Sequence, residues 1–192
     1  MSRAAHAKAN GTTASLTSNL KNAELNLRGL QMVKVMLHEF FHPKTANAIH
    51  SIHLKIDADL EVAAAQTEVE DEDTRPRAFV LSFSPKHIER YIKIPHQREE
   101  FMRLVAHEMV HVRQFAKKQL KSSIVVGDNG LFEPGFVWEG KVWVPPRGMP
   151  DKHRYWLSPW EMEARALEEP AFHFWFERFD PKLEWANWRN LT

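Results

Sequence analysis

The stretch QREEFMRLVAHEMVHVRQFAKKQL, residues 97–120, decides how the rest of the chain is read. Phe101, Leu104, Val105, Met109, Val112, Phe115 and Ala116 recur at helical spacing and form one broad apolar arc, so the segment is expected to be a core helix. Glu99 and Glu100 fall in its first turn, where the helix dipole favours acids. Inside it stands His107-Glu108-Met109-Val110-His111, an H-E-x-x-H sequence. Residues four apart stack on one face of a helix, so both imidazoles can reach a single zinc ion. His107 and His111 project at one margin of the arc, where a cleft wall would run. Glu108, turned about 100° from His107, is placed to act as general base on a metal-bound water.

The pattern alone is weak evidence, because the chain contains a second copy, His38-Glu39-Phe40-Phe41-His42. Pro43 disfavours helical backbone at His42, so the four-residue spacing fails at its last member. On a helical wheel His38 also groups with Gln31 and Lys34, away from the stripe of Leu30, Val33, Leu37 and Phe40. The copy at 107–111 is therefore the expected site and the copy at 38–42 a decoy.

A catalytic zinc takes three protein ligands and keeps one position open. The chain has no cysteine, which excludes thiolate zinc sites, disulfides and cysteine nucleophiles, and leaves His, Asp or Glu for the third ligand. The segment YWLSPWEMEARALE, residues 155–168, offers two acids at the start of a helix. Ser158, Pro159 and Glu161 read as N-cap, first helical residue and capping-box partner, a structural task for Glu161. Glu163 shares a face with Trp160, Ala164 and Leu167, where a buried carboxylate needs a partner such as zinc. Glu163 is thus the expected third ligand and Glu161 the fallback. Simple dipole complementation by both acids stands as the structural alternative.

Around these helices the pattern is mixed. Residues 1–18 are small, polar and aperiodic and read as a tail; 19–192 read as one domain. A helix is expected from Leu20 to His42. Strands are expected at Ala48–Ile56 and Ala78–Phe83, with a weaker one at Ile92–Ile94, an acidic loop over 66–77, and a short hairpin at Gly135–Val144. The glycine and proline density between Lys121 and Lys152 reads as loops and turns. The helix that begins at Ser158 is expected to end near Glu169. With 192 residues and 43% apolar content the chain can bury a core. Lys plus Arg number 26 against 25 Asp plus Glu, which argues against a polybasic nucleic-acid wrapper. No apolar run reaches the length of a membrane span and no signal-peptide core is visible, so a cytoplasmic protein without membrane partners is expected.

HEMVHVRQF at 107–115, together with Tyr155-x-x-x-Pro-Trp-Glu-x-Glu-Ala, resembles small zincin-type metallopeptidases of the gluzincin sort, many of them from bacteriophages. The resemblance runs over residues 78–168, including Val137-Trp-Glu-Gly-Lys; the first 60 residues have no counterpart in it. It implies an α+β fold with a small twisted mixed or antiparallel sheet packed on the zinc helix and a second ligand-bearing helix. It implies His107, His111 and Glu163 as zinc ligands and Glu108 as base. The function implied is zinc-dependent hydrolysis of a peptide bond in a protein or peptide substrate. A catalytically idle assembly module, for instance of a phage particle, and a peptidase acting on a nucleic-acid-bound repressor are the alternatives. Tyr155 is a candidate donor to the oxyanion of a tetrahedral intermediate or else a rim aromatic. His153 is a weaker candidate of the same kind. Phe172, Phe174, Trp175, Phe176, Phe179, Trp185 and Trp188 are read chiefly as packing residues.

Overall fold

The computed structural model describes residues 14–60, 63–70, 77–94, 97–126, 130–145 and 149–179. The fold is α+β with small sheets, as expected, but the strands divide into two sheets. Strands β1 (Ser15–Asn19), β2 (Ile49–Ile56), β3 (Ala65–Val69) and β4 (Arg77–Phe83) form a mixed sheet in the order β1-β2-β4-β3. β1 and β4 both run parallel to β2, and β3 lies antiparallel to β4 as a free edge. Strands β5 (Leu120–Val126), β6 (Phe132–Trp138) and β7 (Lys141–Val142) form a second, antiparallel sheet.

Several expectations are corrected here. Residues 15–18 belong to β1 rather than to a tail, because Ser15–Asn19 pair residue for residue with Ser51–Lys55; residues 1–13 lie outside the described residues. The acidic stretch begins as β3, whose Thr67 and Val69 alternate against β4, and only 71–76 fall outside the described residues. Ile92–Ile94 is no strand: α3 (Pro85–Lys93) runs through Ile92, burying Ile88 and Tyr91 at helical spacing. Lys121–Val126, read as loop, is the strand β5, held by β6. The expected hairpin is present as β6–β7, closed by Glu139 (φ 48°) and Gly140 (φ 81°), the two left-handed positions of a type I′ turn.

The helix expected over Leu20–His42 is present as α1 (Ala23–Val35) continued by a π-helical turn (Met36–Phe40); it ends before Pro43, which opens the short α2 (Pro43–Ala46). Asn22 caps α1 through its side chain, which accepts from the Leu25 backbone N–H at 3.0 Å. Gly29 lets α1 settle onto its neighbours: a Cβ there would meet Leu54 Cδ2 at 2.9 Å and Phe101 Cζ at 3.3 Å. The central helix α4 (Arg98–Ala116) carries Glu99 and Glu100 in its first turn. At its other end the buried Arg77 donates to the Phe115 carbonyl, a cation at a helix C-terminus. α4 touches α1, α3, β3, β4, β5 and α6. Phe101, Val105, Met109 and Val112 on it are fully buried in the one hydrophobic cluster that also takes in Ile52, Leu54, Phe79 and Trp175.

After the short α5 (Asp151–Trp156), the last helix α6 (Pro159–Phe179) passes through Pro170 instead of stopping near Glu169. Burial of Ala171, Phe172 and Trp175 outweighs the hydrogen bond that proline cannot make. Those residues and the half-buried Phe176 and Phe179 do pack on the core; Trp185 and Trp188 lie outside the described residues. Among the described residues no helix is long and apolar enough to cross a membrane.

Candidate metal centre

Three side chains from two helices meet where α4 crosses the start of α6. His107 and His111, one turn apart on α4, turn their Nε2 atoms to a common point, 3.2 Å from each other. Glu161 of α6 completes the group: its Oε2 lies 3.3 Å from His107 Nε2 and its Oε1 3.1 Å from His111 Nε2. These three residues could hold a metal ion. The donors fit one in spacing, since ligands about 2.0–2.2 Å from a tetrahedral zinc stand roughly 3.3–3.4 Å apart. They fit in chemistry as well. Glu161 is 2% exposed, and its Oε1 faces His111 without forming a hydrogen bond, a costly position for a buried carboxylate unless a cation lies beside it.

The outer ring nitrogens are equally constrained. His111 Nδ1 lies 2.8 Å from Gln114 Oε1, and Gln114 Nε2 lies 3.0 Å from the Trp160 carbonyl and 2.8 Å from Glu163 Oε2. Two acceptors fix the amide nitrogen of Gln114, so its oxygen must face His111 and the proton must sit on His111 Nδ1. The Nε2 lone pair is thereby left for a metal. His107 Nδ1 is held in the same way by Glu168 Oε2 at 3.0 Å.

Glu163 is therefore not brought to the histidines; the acid that meets them is the fallback, Glu161. Arg113 Nη2 binds Glu163 Oε1 at 2.7 Å while Gln114 binds its other oxygen, so both oxygens are held by α4 side chains other than the histidines. The capping box that gave Glu161 a structural task is absent as well: Ser158 Oγ is buried and makes no hydrogen bond. The spacing of Glu161, Arg165 and Glu168 along one side of α6 was a usable signal for this face. Gln114 and Glu168, which orient the ligands, were missed; Gln114 stands three residues after His111, within reach of its ring.

The carboxylates govern the titration of this group. Burial acts to lower the His107 pKa, but hydrogen bonds to Glu161 and Glu168 and the nearby Glu108 raise it to about 9. For Glu161 burial raises the pKa, yet the His107 ring and the Tyr155 hydroxyl hold it well below the usual carboxylate range. Metal binding at this site must therefore displace a proton.

Glu108 is 4% exposed and lies beside the ligands in the wall of the cleft. Thr67 Oγ1 on the edge strand β3 sits 2.7 Å from Glu108 Oε2 and 3.0 Å from the Glu108 backbone oxygen. The single hydroxyl proton serves one of them at a time, and the shorter contact is to the carboxylate. Tyr155 is 54% exposed, while its hydroxyl reaches the Glu161 carboxylate; burial of that end and the charges of Glu161 and Glu108 push its pKa up. His153 is exposed and does not line the cleft. Two hollows, of about 480 and 890 Å³, share Ala63, Ala65, Glu108, Tyr155 and Glu161 in their walls, so the centre lies where they meet.

The second H-E-x-x-H is taken apart by the fold. Met36–Phe40 is a π-helical turn, Phe41 is extended (φ −102°, ψ 135°), and His42 caps α2 by accepting from the Lys44 N–H at 3.2 Å. Glu39 pairs with Arg178 of α6. His38 and His42 are exposed and belong to no metal-binding group among the described residues.

Comparison of the chain with protein-family models, curated proteins and solved structures found no match.

Proposed function

We propose that the chain is a zinc-dependent peptidase of the zincin type, with His107, His111 and Glu161 as metal ligands and Glu108 as general base. The observation that carries this reading is the triad of donor atoms 3.1–3.3 Å apart, with a buried carboxylate next to it on the same helix. Two imidazoles and one carboxylate suit zinc, which when bound supplies Lewis acidity and an acidified water.

The chain's own residues account for the other requirements. Glu108 takes the proton that the attacking water loses and returns it to the leaving amine. Thr67 holds the Glu108 carboxylate in place. Tyr155, at the junction of both hollows, would turn its hydroxyl from Glu161 to donate to charge developing on the substrate carbonyl. Among the described strands β3 is an edge, which offers backbone N–H and C=O groups along the cleft, and an extended peptide can add to such an edge as a strand.

The decisive test combines metal analysis with a cleavage assay on a mixed peptide library. Wild type is expected to hold about one zinc per chain and to cleave. Glu108→Gln, which keeps one acceptor oxygen but cannot take a proton at neutral pH, is expected to hold zinc equally well and to lose about 10²–10⁴-fold in rate. Zinc-loaded wild type that cleaves nothing would refute the peptidase reading and leave a metal-stabilised module in its place.

A further inference from the structure

The β5–β6 ribbon carries one face that runs from the metal cleft out into solvent. Strand alternation puts Leu120, Ser122, Ile124 and Val126 on the same side of β5, and their register partners Trp138, Phe136 and Phe132 continue that side on β6. The inner half of this face is covered. Leu120 is 2% exposed, and the rings of Phe136 and Trp138 stand 5.1 and 6.4 Å from Trp160. Leu120, Ser122 and Phe136 also line the smaller hollow beside Glu108 and His111. The outer half is bare: Ile124 is 73% exposed, Val126 65% and Phe132 79%. Adjacent large apolar side chains at that exposure mark a surface that binds something.

We propose that this outer face is an exosite for an extended, apolar-rich segment of the protein substrate, next to the bond held at the metal centre. The inference rests on the peptidase reading for its occupant, and continuity with the cleft selects that occupant over a second copy or a lipid surface. A peptide leaving the cleft past Ser122 and Phe136 next meets Ile124, then Val126 and Phe132. Ser122 to Val126 spans about 13 Å at the rise of a strand, the length of four extended substrate residues. Alternate side chains of such a segment would face the ribbon. The substrate class is therefore a polypeptide with large apolar residues at every second position, a pattern that native globular proteins bury and unfolded or partly unfolded chains expose.

The test uses zinc-loaded full-length Glu108→Gln, so that binding is read without turnover, and fluorescent 12-residue peptides as the probe. One set alternates Leu or Phe with Ser; the other replaces each apolar residue with Ser or Gln. The apolar set is expected to bind at least about tenfold tighter. Ile124→Ser/Phe132→Ser in the same background should abolish that preference with zinc content and melting temperature unchanged. Equal binding of both peptide sets, or an unchanged preference in the double variant, would overturn the proposal. So would wild-type self-association, or binding to anionic phospholipid vesicles, that the double substitution removes while peptide binding stays the same. Failure of the peptidase reading is separable: peptide preference with bound zinc, beside a wild type that cleaves neither set, would sustain the docking face and sink the hydrolase.

Discussion

Gln114 Nε2 donates to Glu163 Oε2 at 2.8 Å, and through this contact a residue outside the His107–His111–Glu161 group orients one of its members. Arg113 anchors the other Glu163 oxygen, Gln114 is held between Glu163 and the Trp160 carbonyl, and His111 is held by Gln114. The two acids at the start of α6 thus have different tasks: Glu161 faces the two imidazoles and Glu163 fixes the tautomer of His111 through Gln114.

The first prediction separates them. Glu161→Ala is expected to abolish stoichiometric zinc, because it leaves two ligands. Glu163→Ala should keep zinc at an affinity lower by about tenfold, toward the small end of outer-layer effects. A chelator should lower the melting temperature of wild type and of Glu163→Ala, and leave Glu161→Ala unmoved. Loss of zinc in Glu163→Ala with retention in Glu161→Ala would reverse the assignment.

The decoy gives a second prediction. His38→Ala and His42→Ala are expected to hold zinc as wild type does, whereas His107→Ala and His111→Ala should lose it. Inductively coupled plasma mass spectrometry on the four purified proteins decides the matter. Any loss of metal in the His38 variant alone would move the site.

Acidity supplies a third. The carboxylates around His107 raise its pKa from 6.5 to about 9, so its protonated form stabilises the fold. This contribution is complete below about pH 6.5 and disappears as pH rises through 9. Metal binding has the opposite dependence, since zinc must displace the proton: apparent affinity should climb by about tenfold per pH unit up to pH 9 and then level off. Competition titrations against a chelator at several pH values measure the slope. A profile flat from pH 6.5 to 9 would contradict the geometry of His107 among its carboxylates.

Thr67 is the subject of a fourth. Thr67→Val preserves volume and removes the hydroxyl 2.7 Å from Glu108. Turnover is expected to fall by about tenfold at unchanged KM and zinc content, with Thr67→Ser restoring it. A matched rise in KM would assign Thr67 to substrate binding instead of positioning the base.

Packing at Gly29 yields the last. Gly29→Val would drive side-chain carbons into Leu54 and Phe101, which already stand within 3.3 Å of a Cβ at that position. Overpacking of this kind costs about 1–3 kcal/mol, readable as a lower urea midpoint with unchanged slope. An unchanged midpoint would mean that α1 can shift off β2 without loss.

What the sequence by itself determined is whatever depends on neighbours along the chain. The apolar arc of α4 with His107 and His111 on one margin, the strands β2 and β4, the tight turn of the hairpin and the start of α6 all follow from local periodicity and turn chemistry. Pro43 likewise was enough to disqualify the histidines at 38 and 42. Tertiary structure decided the rest. β1 and β3 have little strand character of their own and exist because β2 and β4 offer them partners. Ile92 joined a helix because Ile88 and Tyr91 had a core to enter. Above all, which acid meets the histidines was not a local property. Glu161 and Glu163 are both acids in the first turns of one helix, and their fates were settled by what α4 presents across the contact: Arg113 and Gln114 to one, two imidazoles to the other.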